Sequence, residues 1–266
     1  MTGGAVVVAH VSDLHIGAHV PAAVASLAAD VAAVRPHLTV VTGDVTMRAR
    51  TGQFRLARAL LDRLPVPRLV VLGNHDVPLV SADRLVAPYD RYRRWIDTEL
   101  DPCLEVPGLR ALGLQSMPRW RWKAGRVSAR QAQSIVDILG TAPAGTVRLL
   151  ALHHPPFATG PARIVGRGRL VRALVAARVD VVLAGHTHVP VTRGVEVSDG
   201  VAVHRLVDVV AGTATSNRLR GTPRSWTVLR IDADAIAVEE RYGVNGTWRT
   251  GHTAWYPRPA VPSAAR

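Results

Sequence analysis

Short hydrophobic runs alternate with amphipathic stretches through the first two thirds of the chain. The runs have the length of strands: Val6–Val11, Leu38–Thr42, Arg68–Leu72, Leu109–Leu114, Val147–Leu152 and Val179–Ala184. The stretches between them predict helices over Pro21–Val34, Phe54–Leu64, Ser128–Leu139 and Leu170–Ala177, because apolar residues recur there at helical spacing. Ser128 is the candidate N-cap of the third helix. This alternation predicts parallel strands joined by right-handed crossovers.

Two regions depart from this rhythm. Residues 77–108 are polar, with tyrosines, arginines and Trp95, and they predict a partly helical insertion that caps the site. Residues 190–242 contain three strand patterns: Val201–Val210, Trp226–Ile231 and Ile236–Arg241. The last two flank an Asp-Ala-Asp turn and predict a hairpin. We therefore expect a second, more antiparallel sheet, built from residues 190–242 and packed on the first.

The composition is that of a globular protein, with 48% hydrophobic and 5% aromatic residues among 266. We expect one domain over residues 1–256 and a loose tail over 257–266, which is rich in proline, alanine and serine. The apolar stretches are too short for a transmembrane helix, and the amino terminus lacks the pattern of a signal peptide. Cys103 is the only cysteine, which excludes an intrachain disulfide. These features favour a cytoplasmic protein.

The formal charge of +13 is carried almost entirely by arginine. Such a charge attracts anions and favours phosphate-bearing partners, but the arginines are scattered, which is also typical of a solvated surface. Only residues 119–123 interleave basic and aromatic residues. Trp120 and Trp122 could stack on a base or anchor a cap helix, and the pattern leaves both open.

Five motifs of histidine, aspartate and asparagine follow five of the hydrophobic runs. They are Asp13-Leu14-His15, Gly43-Asp44, Gly73-Asn74-His75-Asp76, His153-His154-Pro155 and Gly185-His186-Thr187-His188. The strand ends of an open α/β sheet line one edge, so these side chains can meet at one point. Their oxygen and imidazole groups predict a transition-metal site.

The candidate ligands are too many for one ion: Asp13, His15, Asp44, Asn74, His153, His186 and His188. Two ions that share a carboxylate can use them all. Paired metal ions about 3.5–4 Å apart serve in-line displacement at phosphorus, with a bridging water that loses a proton as the nucleophile. The mixture of hard oxygens and imidazoles suits Mn, Fe or Zn rather than Mg or Ca.

In this order, the five motifs resemble those of the calcineurin-like metallophosphoesterase superfamily. The resemblance implies a four-layer α/β/β/α sandwich of two mixed sheets flanked by helices. It also implies that Asp13, His15, Asp44 and His188 bind one metal, and that Asp44, Asn74, His153 and His186 bind the other, with Asp44 bridging. By the same resemblance, His75 contacts the substrate phosphate and helps the leaving oxygen depart, and Asp76 orients His75.

Differences from the motifs of individual branches of the superfamily indicate which branch this sequence resembles most. Met47 stands where purple acid phosphatases have a tyrosine, and Thr46–Ala49 differ from the Asp-Arg-Gly of the serine/threonine phosphatases. The segments around Gly43–Thr46 and Gly73–Pro78 are most similar to the bacterial class III cyclic-nucleotide phosphodiesterases. Pro155 lies two residues after His153, as in the family motif, which favours His153 over His154 as the ligand.

Three functions follow from this interpretation. The first is hydrolysis of a small phosphodiester or nucleotide, with a 3',5'-cyclic nucleotide as the candidate substrate. The second is a phosphomonoesterase, or a phosphodiesterase that acts on a nucleic acid or a lipid headgroup; the short insertion gives no groove that would favour nucleic acid. The third is a non-catalytic scaffold, which the filled ligand positions disfavour. The sequence leaves the oligomeric state open.

Overall fold

The structure, a computed structural model, describes residues 5–121 and 123–258. The strands in chain order are β1 (Val6–Val11), β2 (Leu38–Val41), β3 (Arg68–Val70), β4 (Cys103–Val106), β5 (Leu109–Leu114), β6 (Gly125–Arg126), β7 (Val147–Leu152), β8 (Ile164–Val165), β9 (Val181–Ala184), β10 (Val191–Ser198), β11 (Val203–Val210), β12 (Arg224–Ile231), β13 (Ala235–Val244) and β14 (Thr247–Pro257). The helices are α1 (Pro21–Ala33), α2 (Thr51–Leu61), α3 (Asp83–Val86), α4 (Asp90–Trp95), α5 (Ala129–Leu139) and α6 (Arg167–Ala177).

The strands form two six-stranded mixed sheets. The order is β14-β13-β12-β1-β2-β3 in the first sheet and β10-β11-β9-β7-β5-β4 in the second. Strands β1, β2 and β3 are parallel, as are β5, β7, β9 and β11, and the remaining neighbours are antiparallel. Strands β6 and β8 form a separate parallel pair.

Alternation of side chains along the strands produces three hydrophobic layers. On β1, Val8 faces the second sheet, where it joins Leu149 of β7 in the central core. Its neighbour Val7 packs on the opposite face with residues of α1 and α2. Helices α5 and α6 cover the outer face of the second sheet. Burial of an aliphatic side chain contributes about 1.5–3 kcal/mol, and both sheet faces are apolar for this reason. The expected four-layer sandwich of two mixed sheets is confirmed.

The expected division of strands between the sheets was wrong. Residues 190–242 do not build the second sheet by themselves: β10 and β11 belong to the second sheet, whereas β12 and β13 belong to the first. The predicted hairpin between the last two strands is present, with Ile231 paired to Ile236. Both sheets combine a parallel part with antiparallel strands because the chain crosses from one to the other after residue 210.

The insertion and the tail also differ from expectation. Part of residues 77–108 forms β4, which is the edge strand of the second sheet rather than part of a cap. Pro257, placed in the loose tail by its composition, is paired with Ala235 in β14. Arg258 is also described, with its guanidinium 3.2 Å from Asp180, and residues 259–266 of the expected tail lie outside the described residues. Strand β14 was missed because it is an exposed edge strand with few apolar residues.

Within the described residues, no helix is both long and apolar enough to cross a lipid bilayer.

Candidate metal centre

The motif residues meet at one end of the sandwich. Three of the motifs follow β1, β2 and β3 in the first sheet, and two follow β7 and β9 in the second. The sequence predicted one edge of one sheet, but the ligands come from two sheets that face each other. All five strands belong to the parallel parts of their sheets, so the loops at their carboxyl ends can reach a common centre.

One group of candidate ligands brings two carboxylates and two imidazoles together. The ligand atoms of Asp13, His15, Asp44 and His188 all lie within 4.8 Å of one another, and all four residues are buried. Nε2 of His15 lies 2.9 Å from Nε2 of His188. Oδ1 of Asp13 lies 3.1 Å from Nε2 of His188. Four donor atoms at such distances can surround one cation.

A second group lies beside the first. Oδ1 of Asn74 is 3.1 Å from Nε2 of His153 and 2.9 Å from Nδ1 of His186. The two ring nitrogens are 3.2 Å apart. The amide offers an oxygen without a further negative charge. The second group is thus less anionic than the first.

Asp44 lies between the two groups. Its Oδ2 is 3.5 Å from Nε2 of His15 in the first group and 3.4 Å from Nε2 of His153 in the second. Its Oδ1 accepts a hydrogen bond of 2.7 Å from the backbone N–H of His75. One carboxylate oxygen is thereby fixed, and the other is directed to the space that both groups share.

Hydrogen bonds outside the two groups set the orientation of the ligands. Oδ2 of Asp13 accepts from the Ser12 hydroxyl at 2.6 Å and from the His186 backbone N–H at 2.9 Å. Nδ1 of His153 lies 2.7 Å from the carbonyl of Thr42 and donates to it, and Nδ1 of His188 does the same to Arg218 at 2.7 Å. Such contacts leave the other ring nitrogen or carboxylate oxygen for a metal.

The backbone at these positions is unusual. Five of the seven candidate ligands have positive φ, namely Asp13 (54°), His15 (47°), Asp44 (52°), His186 (72°) and His188 (62°). Residues other than glycine adopt this left-handed region at a cost of about 1–3 kcal/mol. The turns that follow the strands hold the side chains in place, so the surrounding fold stabilises a conformation that local preference opposes.

Electrostatics at the centre favour ionised carboxylates. Burial alone would raise the pKa of Asp44, but the imidazoles of His153 and His15 outweigh it and hold the pKa well below its usual range. For His153, burial would lower the pKa, but the charge of Asp44 raises it to about 9. A proton on His153 thus balances charge at a place where a cation could bind.

The donor set fits divalent metal ions. Oδ1 of Asp13 and Nδ1 of His15 are buried and have no well-formed hydrogen bond. A buried acceptor without a donor costs about 1–3 kcal/mol, and a cation at the position faced by Asp13 Oδ1 would remove that cost for the carboxylate. Imidazole nitrogens mixed with carboxylate and amide oxygens suit divalent transition-metal ions.

His75 lies beside the first group, with its ring centroid 4.8 Å from that of His15. Its Nδ1 is 2.9 Å from the carbonyl oxygen of Met47, to which it donates. Burial is the largest cause of a lowered pKa for this ring. The sequence assigned the orientation of His75 to Asp76, and the structure assigns it to the Met47 carbonyl.

Within the described residues, Asp76 makes no hydrogen bond to the ring of His75. Its carboxylate accepts hydrogen bonds from the backbone N–H groups of Val45, Thr46 and Gly73 at 3.2, 2.8 and 3.0 Å. It also accepts from the Thr46 hydroxyl at 2.9 Å. Burial, with a further effect from Asp44, raises its pKa to about 6. Asp76 joins the turn after β2, which carries Asp44, to the turn after β3.

Sequence reasoning missed Arg218. It lies in the loop after β11, and its Nη1 is 3.2 Å from Nε2 of His75. Because β11 runs parallel to β9, its carboxyl end lies on the side of the candidate metal centre, and no signal in the sequence indicated this pairing. The sequence pattern suggested an antiparallel sheet instead.

The sequence left the roles of His154 and Trp120 open. His154 is buried behind the ligands, with its ring centroid 4.6 Å from that of His186 and its Nδ1 2.8 Å from the Ser116 hydroxyl. Trp120 is 59% exposed, with the Arg126 guanidinium 5.7 Å from its ring centroid. Trp122 lies outside the described residues.

Comparison with known proteins gives one family and several relatives. The family described as calcineurin-like phosphoesterase matches residues 6–190. A probable glycerophosphodiester phosphodiesterase, GpdQ, from Arcobacter nitrofigilis is 29% identical over 163 residues, which cover 58% of this chain and 57% of that protein. The chain thus spans little more than half the length of this relative.

Solved structures share the architecture at low sequence identity. The purple acid phosphatase PPD1 from yellow lupin (Lupinus luteus) superposes with a TM-score of 0.71 at 12% identity, over 97% of this chain and 54% of that one. The structure of PhoD gives a TM-score of 0.70 at 12% identity, over 97% and 70% of the two chains. At this identity the likeness concerns the fold alone.

Proposed function

The chain belongs to the calcineurin-like phosphoesterase family, and from this premise we propose that it is a metal-dependent hydrolase of a small phosphodiester. The position of Asp44 carries the proposal. Its Oδ2 lies 3.5 and 3.4 Å from the nearest ring nitrogens of two separate ligand groups, and an oxygen so placed can serve two cations at once. Paired cations are suited to displacement at phosphorus.

In this proposal each group of ligands holds one metal ion. Asp13, His15, Asp44 and His188 would hold the first ion, and Asp44, Asn74, His153 and His186 the second. When bound, such ions supply Lewis acidity that neutralises phosphoryl oxygens and activates water. The protein contributes a mostly buried set of donors, and other atoms of Asp13, His153 and His188 are already bonded to neighbours.

His75 is proposed to act on the phosphate and the leaving oxygen. Its ring is fixed beside His15, and Met47 accepts the hydrogen bond from Nδ1. The other ring nitrogen therefore faces away from the Met47 carbonyl. That carbonyl favours the charged form of the ring, against the effect of burial, and in the protonated ring Nε2 could donate a proton to a departing alkoxide.

Two kinds of small diester are candidate substrates. A 3',5'-cyclic nucleotide follows from the resemblance of the Gly43–Thr46 and Gly73–Pro78 segments to the class III phosphodiesterases. A glycerophosphodiester follows from the similarity to the probable GpdQ of Arcobacter nitrofigilis. Both carry one negative charge on the reacting phosphorus and need the same two groups of ligands.

The test is hydrolysis by protein loaded with Mn²⁺, with metal content measured on the same sample. We expect metal-dependent turnover of bis(p-nitrophenyl) phosphate that His75→Ala and Asn74→Ala each reduce by about a hundredfold or more. The matched control is His252→Ala, since His252 is exposed on β14 and should leave the rate unchanged. Turnover no greater than that of the metal solution alone would contradict the proposal.

A substrate panel then separates the alternatives. Rates are compared on cyclic AMP, glycerophosphoethanolamine, single-stranded DNA and p-nitrophenyl phosphate. A higher kcat/KM on either of the first two supports a small diester. Preference for p-nitrophenyl phosphate would indicate a monoesterase, and preference for DNA would indicate a nuclease.

A further inference from the structure

Arg218 brings a permanent positive charge to the metal centre. Its Nη1 lies 3.2 Å from Nε2 of His75 and 3.7 Å from Sδ of Met47. The side chain is half-buried, so the charge is less screened than that of an arginine on the surface. Arg218, His75 and Met47 form one wall of the centre.

The geometry of His75 fixes which atom Arg218 meets. Since Nδ1 of His75 donates to the carbonyl of Met47, Nε2 is available as an acceptor in the neutral ring. Nη1 of Arg218 can therefore donate to it. The guanidinium thus lies at the ring atom that is proposed to face the phosphate.

The main chain of Arg218 is tied to the same centre. Its carbonyl accepts the 2.7 Å hydrogen bond from Nδ1 of His188, and its N–H donates to the Ser216 hydroxyl at 3.0 Å. The loop is further held against the turn after β1, where Thr213 donates to the carbonyl of Asp13 at 2.7 Å. The side chain therefore extends from an anchored backbone.

The charge of Arg218 has no carboxylate partner within residues 5–121 and 123–258. Its side chain contacts are with His75 and Met47, neither of which is an anion. A guanidinium offers five N–H donors in a planar fork that matches phosphate oxygens, and most of these donors remain available. A half-buried arginine in this state is suited to bind an anion.

We propose that Arg218 is a phosphate-binding residue whose guanidinium donates to a non-bridging phosphoryl oxygen of the substrate next to His75. This inference rests on the proposed function, because it assumes that a phosphate enters between the ligand groups and His75. When the phosphate binds, the N–H of Arg218 changes its hydrogen-bond acceptor from Nε2 of His75 to the phosphoryl oxygen. That transfer leaves Nε2 of His75 able to face the leaving oxygen.

The experiment compares Arg218→Gln and Arg218→Lys with wild type, all as Mn²⁺-loaded protein. The control is Arg220→Gln, which removes an exposed arginine two residues along the same loop. Three quantities are measured: bound metal per chain, the dissociation constant for inorganic phosphate by calorimetry, and kcat and KM on bis(p-nitrophenyl) phosphate. Phosphate binding needs no turnover, so it tests Arg218 even if the protein hydrolyses none of the substrates.

We expect Arg218→Gln to weaken phosphate binding and to raise KM by about tenfold to a hundredfold, since a hydrogen bond to a charged group contributes that much. Metal content should be unchanged, because the contact with His188 is made by the backbone. Arg218→Lys should recover part of the loss, and added guanidinium chloride should partly rescue Arg218→Gln. Arg220→Gln should bind phosphate within about twofold of wild type.

Three results would overturn the inference. One is wild-type phosphate affinity in Arg218→Gln, and the second is a reduced kcat with phosphate affinity and KM unchanged, which would mean that Arg218 only positions His75. The third is a loss of metal in both Arg218 variants, which would make the residue structural. Circular dichroism confirms that each variant is folded, and Arg218→Lys provides the comparison if Arg218→Gln is not.

Discussion

Asp44 and Gly73 are in such close contact that no side chain fits between them. A Cβ atom on Gly73 would lie 2.2 Å from both the backbone nitrogen and Oδ1 of Asp44. The backbone of Gly73 has φ −100° and ψ 178°, which any residue can adopt. Glycine is therefore required at this position by the lack of space beside the Asp44 carboxylate, and not by backbone conformation.

Gly73→Ala should weaken metal binding although it removes no ligand. The new methyl group must push Asp44 away from the position between the two groups of ligands. Changes in the support of a metal ligand typically cost tenfold to a hundredfold in affinity or activity, and we expect a loss of about that size. Bound metal per chain, and hydrolysis of bis(p-nitrophenyl) phosphate where wild type shows it, would be measured.

The matched control is Gly52→Ala. A Cβ at Gly52 meets nothing within 4 Å, and Gly52 lies in α2, where alanine is the better helix former by about 1 kcal/mol. This variant should bind metal like wild type and be slightly more stable. Equal metal binding by Gly73→Ala and Gly52→Ala would refute the steric explanation.

Asp76 should contribute more to the stability of the fold than to the orientation of the His75 ring. Its carboxylate accepts four hydrogen bonds, three of them from backbone N–H groups of the two turns. Asp76→Ala leaves these buried donors without an acceptor, which we expect to cost about 3 kcal/mol or more of unfolding free energy. Denaturant unfolding of the metal-free protein measures this directly.

The control for Asp76→Ala is Asp62→Ala. Asp62 pairs with Arg58 of α2 and with Arg68, and its carboxylate is about half exposed, so its loss should change the unfolding free energy by only about 1 kcal/mol or less. If Asp76→Ala instead abolished activity at unchanged stability, Asp76 would have the orienting role that the sequence suggested.

The candidate ligands could be predicted because each can be recognised from the residues next to it in the chain. Each motif follows a hydrophobic run, and a strand that ends in a glycine or a histidine pair needs only its own neighbours to be recognised. The parallel alternation of strands and helices then brings the motifs to one end of the fold. Asp13 and His153 were identified in this way although they lie on different sheets.

The contacts that orient His75 could not be predicted, because they depend on how distant loops pack. His75 donates to Met47 across 28 positions of the chain, and Arg218 meets His75 across 143. No periodicity records such a contact. The error about residues 190–242 has the same origin: hydrophobic alternation identifies a strand, but it does not say which of two sheets the strand joins.

Ser128 offers a test of a feature that the sequence predicted correctly. Its hydroxyl accepts from the backbone N–H of Gln131 at 3.2 Å, and the Gln131 side chain accepts from the backbone N–H of Ser128 at 3.0 Å. Ser128→Ala should lower the unfolding free energy by about 1 kcal/mol. Ser134→Ala in the same helix removes a serine that donates only to the carbonyl of Arg130, and should cost nothing or stabilise slightly.

Asp208 should make the protein less stable as the pH rises. It is fully buried on β11 opposite Arg193 of β10, whose side chain is 46% exposed. Burial raises its pKa to about 6, and the Arg193 guanidinium only partly opposes this. An acid with a raised pKa in the folded state holds its proton more tightly there than in the unfolded chain. Deprotonation between pH 4 and 6 therefore favours unfolding.

We expect Asp208→Asn, which cannot ionise, to separate this effect from the rest of the titration. The unfolding free energy of Asp208→Asn minus that of wild type should increase by about 2 kcal/mol from pH 4 to pH 6 and remain nearly constant above pH 7. Glu196→Gln is the matched control, because Glu196 pairs with Arg205 on the same hairpin with both side chains exposed. The unfolding free energy of Glu196→Gln minus that of wild type should change by no more than about 0.5 kcal/mol over the same pH range. If the difference in unfolding free energy between Asp208→Asn and wild type did not change with pH, Arg193 would compensate fully for the burial of the carboxylate.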